Sequence, residues 1–323
     1  MKKTTLLFTL LALVCFVEAQ NKSVSFNKKG QFKIVQFTDV HYVPNNGKSA
    51  IALELIKEVL EEEKPDLVVF TGDLVFGKPA RKCFDDVLNI VIEHRTPWAL
   101  VFGNHDDEFD MSRKDMMRYI ENKAYGLASA GDKEVYGVGN YAIELKDKWN
   151  RNLQMVLYFM DSGAYSPIKS IKGYDWFSYS QIGWYKDQSA SYAKKNKNMP
   201  VPSLAFFHIP LKEFGEMAAS GNIVGNRKEN ENPGALNSGM FAAMCESGDV
   251  VGAFVGHDHD NDYIGNYRGI ALAFGRYSGG NTVYNNLGKN GCRIIELKEG
   301  KREFKTYIRL LGGEKLYNVD VKY

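Results

Sequence analysis

The chain has 323 residues, 44% of them hydrophobic and 25% charged, with a formal net charge of +2. That is enough apolar material for a large core. The near-neutral balance, with lysine and arginine spread along the chain, argues against bulk electrostatic binding to nucleic acid or to an anionic membrane, so an acidic ligand would need charge supplied locally.

In chain order, Lys2 and Lys3 precede an apolar run from Leu6 to Phe16 that is too short to span a bilayer comfortably. Val17-Glu18-Ala19 reads as a cleavage site. Residues 1–19 are therefore expected to be a signal peptide and 20–323 a single domain, secreted or periplasmic, with no later membrane span. Cys15 makes a poor lipid-attachment site because Val14 is bulky. The remaining Cys83, Cys245 and Cys292 allow at most one disulfide and read as small hydrophobes.

Six short, almost continuously apolar runs follow, the pattern of strands buried on both faces: Phe32–Phe37, Leu67–Phe70, Ala99–Phe102, Met155–Met160, Leu204–Phe207 and Val250–Val255. Between them, Ile51, Leu55, Ile56, Val59 and Leu60 mark a helix ending before Pro65. Phe84, Val87, Leu88, Val91 and Ile92 mark a second ending before Pro97, and Gln181 to Lys195 a third. This alternation implies an α/β fold with parallel sheet and right-handed crossovers. After His259, Ile270–Phe274, Cys292–Leu297 and Phe304–Leu310 lack intervening helices, which favours an antiparallel continuation and a second sheet packed on the first. Pro210 to Asn237 is a long segment without strong periodicity, either a solvated loop with a short helix or a lid beside a site.

The strand ends carry the chemistry. The first leads into Asp39-Val40-His41, where an extended backbone would turn both side chains to one side. The second ends in Gly72-Asp73, the third in Gly103-Asn104-His105-Asp106, the fifth in His208 and the sixth in Gly256-His257-Asp258-His259. Five of six histidines follow apolar strands directly; His94, at the end of a predicted helix, reads as a histidine capping helix carbonyls. One such histidine would mean little. Five of them, joined by Asp39, Asp73 and Asn104, point to metal, because ligands in parallel α/β sheets gather beyond the carboxyl ends of strands. Seven nitrogen and oxygen donors exceed one tetrahedral site and suit two ions, with iron, zinc or manganese favoured over calcium or magnesium.

The order D-x-H, G-D, G-N-H-D, H, G-H-x-H resembles the calcineurin-like metallophosphoesterase superfamily. Phe70 to Gly77, Gly103 to Glu108, Phe207 to Leu211 and Gly256 to Tyr263 are similar to its purple acid phosphatase-like branch, sometimes labelled probable inactive. The resemblance implies a four-layer α/β/β/α sandwich of two mixed sheets flanked by helices. It assigns Asp39, His41, Asp73 and His259 to one metal and Asp73, Asn104, His208 and His257 to the other, with His105 beside the substrate as proton donor or charge stabiliser. It implies a phosphate-ester small molecule or phosphorylated substrate, most simply a monoester, hydrolysed by a metal-activated water. A diesterase, or a non-catalytic metal- or phosphate-binding protein, is the alternative. The purple enzymes carry an iron-binding tyrosine three residues after the bridging aspartate, where this chain has Phe76, so no purple chromophore is expected. Asp106 and Asp258 are either carboxylates that orient a ligand histidine or solvated loop acids. Tyr165, Tyr174, Trp176 and Tyr179 could stack on a base or sugar, with packing between layers the simpler role.

Overall fold

The computed structural model describes residues 22–323. The expected signal peptide, its cleavage site and Cys15 lie outside the described residues. The strands, in chain order, are β1 (Ser23–Ser25), β2 (Gln31–Phe37), β3 (Leu67–Thr71), β4 (Trp98–Val101), β5 (Tyr141–Lys146), β6 (Leu153–Phe159) and β7 (Ser203–Phe206). They continue with β8 (Ile223–Val224), β9 (Val250–Val255), β10 (Ile264–Tyr267), β11 (Ile270–Phe274), β12 (Gly291–Lys298), β13 (Glu303–Leu310) and β14 (Lys315–Lys322). The helices are α1 (Ala50–Glu63), α2 (Ala80–Glu93), α3 (Arg113–Ile120), α4 (Tyr179–Lys195), α5 (Lys212–Ala219) and α6 (Met240–Ser247).

Local chemistry sets the boundaries. α1 stops at Lys64, which turns left-handed at φ 47 and donates its N–H to the Leu60 carbonyl before Pro65 forbids continuation. α2 ends at His94, whose Nδ1 lies 2.7 Å from the Ile90 carbonyl oxygen, the helix-end contact its position suggested. α4 opens with a capping box in which the Ser178 and Gln181 side chains answer each other's backbone N–H groups.

The apolar runs divide between two sheets. β2, β3 and β4 are parallel neighbours in a six-stranded sheet of order β14-β13-β12-β2-β3-β4. β6, β7, β9 and β11 are parallel neighbours in an eight-stranded sheet of order β1-β5-β6-β7-β9-β11-β10-β8. The strands after His259 split as well. β10 and β11 extend the second sheet, and β12, β13 and β14 return as an antiparallel continuation of the first, beside β2.

One apolar cluster joins the facing surfaces of the two sheets and α1, α2 and α3, with Phe254 of β9 against Phe304 of β13 at a ring separation of 6.0 Å. A second joins the outer face of the eight-stranded sheet to α4, α5 and α6, through Tyr158, Phe207, Tyr185, Phe214 and Met244. Each large side chain buried this way contributes about 1.5–3 kcal/mol. Two polar stitches cross between the sheets: the buried Gln36 amide donates to Thr71 Oγ1 and to the Val255 carbonyl, and buried Arg293 of β12 donates to the carbonyls of Phe274 and Asp262. The result is the four-layer α/β/β/α arrangement of two mixed sheets. Cys83, Cys245 and Cys292 are all free thiols. Among the described residues, no helix is long and apolar enough to cross a membrane.

Candidate metal centre

The carboxyl ends of β2, β3 and β4 from one sheet meet those of β7 and β9 from the other, and the predicted ligands sit in the loops just beyond. The backbone there is unusual. Asp39, His41, Asp73 and His257 all have left-handed φ, from 42 to 80, a conformation that costs a residue with a Cβ about 1–3 kcal/mol and persists where its surroundings enforce it. Asp39 and His41 therefore converge through two left-handed residues rather than through an extended strand. The enforcing contacts come from the neighbouring exit loop: Asp39 N–H donates to the Gly72 carbonyl and His41 N–H to that of Asp73. Gly72, at φ +91, has no substitute, because a Cβ there would stand 2.5 Å from His208 Nδ1.

The side chains close on two clusters. His41 Nε2 lies 3.0 Å from His259 Nε2, 3.6 Å from Asp73 Oδ2 and 4.0 Å from Asp39 Oδ1. His259 Nε2 is 3.6 Å from Asp39 Oδ1. On the other side, His208 Nε2 is 3.2 Å from Asp73 Oδ2 and 3.1 Å from Asn104 Oδ1. His257 packs edge-on to His208, at a ring separation of 5.1 Å, and its buried Nε2 has no hydrogen-bond partner. Two groups of three donors fall within metal-binding distance of one another, Asp39–His41–His259 and Asp39–Asp73–His208. All seven predicted ligands are buried.

Ring orientation is fixed from behind. His208 Nδ1 lies 2.8 Å from the Thr71 carbonyl and His259 Nδ1 3.0 Å from the Tyr284 carbonyl, so each Nε2 lone pair faces the cluster. Ser162 Oγ accepts from the N–H groups of His208 and Ile209.

Asp106 and Asp258 orient no histidine. Asp106 is buried and accepts from the backbone N–H groups of Asp73, Val75 and Gly103, which clamps two ligand loops together. Asp258 is buried and bonded to Asn232. Neither is a solvated loop acid. Arg113 at the start of α3 completes the support, pairing with Asp161 and donating to the Gly103 and Gly163 carbonyls.

Electrostatics follow from this crowding. Burial drives His41 and His257 well below the usual histidine range, leaving neutral imidazoles with free lone pairs. Burial opposes charge on His208 too, but Asp73 and the Thr71 carbonyl push it up to about 9. Asp73 is also penalised by burial, yet His208, His41 and His105 hold it well below the usual carboxylate range. Asp39 is raised by burial. A dry pocket that holds two carboxylates, neutral imidazoles and an orphaned His257 nitrogen calls for cations, and the residues present fit divalent metal.

His105 stands apart at 32% side-chain exposure. Its backbone N–H donates to Asp73 Oδ1 and its Nδ1 lies 2.7 Å from Glu108 Oε2, a partner that the motif reading missed although Glu108 falls three residues on. Phe76 takes the place expected from the resemblance, edge-on to both His41 at 4.8 Å and His105 at 5.6 Å. Tyr165 and Tyr174 do not pack between layers. Tyr165 is 51% exposed and stacks on Tyr174, which packs edge-on to His257 at 4.3 Å. Tyr284, 50% exposed and unremarked in the sequence, stacks on His259 at 4.4 Å. Trp176 borders a small cavity with Ile209 and Leu211, and Tyr179 is exposed at the start of α4. The Pro210–Asn237 segment holds α5 and β8, then binds the His257–His259 loop through Asn232 to Asp258 and Glu229 to the Asp260 N–H.

Comparison with known proteins gives a consistent picture. The calcineurin-like phosphoesterase family matches residues 32–261. A relative named probable inactive purple acid phosphatase 29, from Arabidopsis thaliana, is 33% identical over 94% of this chain and 89% of its own. Phosphatase DCR2 of Saccharomyces cerevisiae is 32% identical over 89% of this chain and 55% of its own. A dimetal phosphatase from Danio rerio superimposes with a TM-score of 0.61 over 90% of this chain and 99% of its own, at 14% identity, a likeness of fold.

Proposed function

The chain belongs to the calcineurin-like phosphoesterase family, in its purple acid phosphatase-like branch, and from that premise we propose an exported, single-domain phosphatase that hydrolyses phosphate monoesters at a dinuclear metal centre. The observation that carries this reading is the position of Asp73 Oδ2, 3.6 Å from His41 Nε2 on one side and 3.2 Å from His208 Nε2 on the other. One carboxylate oxygen with an imidazole at each flank is the arrangement a bridging ligand needs. Asp39, His41, Asp73 and His259 would hold one ion, and Asp73, Asn104, His208 and His257 the other. Iron, zinc or manganese suits this donor set. Bound there, the pair would supply positive charge to phosphoryl oxygens and acidify a water toward neutral pH.

The chain's own residues do the rest. Asp106 and Arg113 keep the Asp73 and Asn104 loops in register, so that no ligand has to be gathered when substrate arrives. We read His105, outside the ligand set and partly open to solvent, as the residue that gives a proton to the departing oxygen. Phe76 walls one side of His105 and His41 without offering an oxygen to metal. The near-neutral chain charge supports a small ester over a polynucleotide.

The test is metal content and turnover measured on the same preparation. The protein beginning at Gln20, supplied with manganese, zinc or iron, is expected to carry about two metal equivalents and to release nitrophenol from nitrophenyl phosphate. Asp73→Ala is expected to lose both. Equal turnover in the two proteins sinks the reading. Metal bound without turnover under any of the three ions leaves a non-catalytic binding protein, and a preference for the bis-ester makes it a diesterase.

A further inference from the structure

The seven predicted ligands around the centre are buried, and the rings of His208 and His259 are held from behind by backbone carbonyls. His105 is held differently. Its N–H is fixed on Asp73 Oδ1 at 2.8 Å, and its Nδ1 meets Glu108 Oε2 at 2.7 Å. The other Glu108 oxygen accepts from Tyr165 O–H at 2.8 Å. Tyr165 in turn stacks on Tyr174, whose ring abuts His257. A continuous set of contacts therefore runs from one flank of the centre to the other, with the Glu108 carboxylate at its middle. Glu108 lies in the loop between β4 and α3, between two buried anchors, Asp106 and Arg113. Its backbone is thus tethered at both sides even though its side chain is partly exposed.

An imidazole engaged by a carboxylate through one nitrogen presents the other, in a defined tautomer, to whatever faces it. We propose that Glu108, steadied by Tyr165, is a positioning residue that keeps a proton on His105 Nδ1 and turns Nε2 toward the leaving oxygen of the ester. The proposal rests on the phosphatase reading above. In the step it serves, the bond from phosphorus to the leaving oxygen breaks as the bond from phosphorus to the incoming water oxygen forms. His105 enters this step as the imidazolium, with a proton on each nitrogen: the Nε2 proton passes to the leaving oxygen, the Nδ1 proton stays against Glu108, and a proton lost by the water replaces the one on Nε2 by way of solvent. Glu108 neither gains nor loses a proton. Its effect must therefore scale with how much the leaving oxygen needs protonation, which a residue that merely supports the loop would not do.

The experiment compares the metal-loaded wild type with Glu108→Ala, Glu108→Gln and Tyr165→Phe on phenyl phosphate, a poor leaving group, and 2,4-dinitrophenyl phosphate, a good one. Nitrogen-15 spectra of the His105 ring are recorded on the same proteins. Glu108→Ala is expected to slow phenyl phosphate about tenfold or more and the dinitrophenyl ester by about twofold or less, with metal content unchanged. Glu108→Gln, whose amide oxygen can still accept, regains most of the loss, and Tyr165→Phe shows the same pattern at smaller size. When the His105 ring is neutral, its one proton sits on Nδ1 in wild type and Glu108→Gln and leaves it in Glu108→Ala. Equal slowing of both esters, or an unchanged tautomer in Glu108→Ala, overturns the proposal. If the loaded wild type turns over neither ester, the phosphatase reading fails, while the nitrogen spectra still decide whether Glu108 orients His105.

Discussion

The two sheets feed the candidate metal centre by different means. The six-stranded sheet supplies Asp39, His41, Asp73 and Asn104 on loops whose backbones are bound to one another and to the Asp106 carboxylate. The eight-stranded sheet supplies three histidines, and at His208 and His259 the ring itself is held, each by a carbonyl oxygen. A short carboxylate or amide is aimed by its backbone, since few torsions separate the two. An imidazole needs its tautomer and ring angle set as well. The halves also brace each other: His208 leans on Thr71 of β3, and the His257 N–H donates to both oxygens of Asp39.

If backbone clamping is what distinguishes the first half, Asp106→Ala should be the most damaging change outside the ligands. It strands three buried N–H groups at about 1 kcal/mol or more each, so a loss of about 3 kcal/mol is expected in urea denaturation of the metal-free protein. A loss confined to metal affinity, with unfolding unchanged, would erase the contrast. Ser162→Ala probes the second half, where two N–H groups around His208 lose their acceptor. The expected cost is about 1–2 kcal/mol in stability and about tenfold in metal affinity by competition with a chelator. Tyr284→Phe is the mildest: it removes the hydroxyl bond to Glu229 and keeps both the ring against His259 and the carbonyl behind it. Metal content should hold, with stability lower by about 1 kcal/mol or less. A large loss of metal there would mean that the side chain, and not the carbonyl, holds His259.

The six buried strands and three longest helices were legible because complete burial leaves an unbroken apolar run and helix burial leaves a periodic one. Pairing was not. Nothing in Leu67–Phe70 or Leu204–Phe207 says that one joins β2 and the other β6, since both read as apolar on every face. β5, with its buried and half-buried residues alternating from Tyr141 to Lys146, carried a period-two signal that the search for continuous runs passed over. α3, α5 and α6, of eight residues each, are too short for periodicity to stand out. At the centre, residues that follow strands directly were within reach. Asp106 and Glu108 were not assignable, because their partners are set by the path of one loop: the first turns in to three amides, the second out to His105 and Tyr165.

The return of β12 to the side of β2 also governs the order in which the protein can assemble. β2 lies in the middle of its sheet, with Phe32 opposite Leu297 and Gln36 opposite Arg293, so its second edge stays open until β12, more than 250 residues later, has been made. Such distant closure is slow, and an unpaired apolar strand is sticky while it waits. A ribosome that pauses before β12 leaves Asp39 and Asp73 on an unfinished scaffold. β12 to β14, which carry none of the predicted ligands, therefore set the time at which the scaffold around them is complete.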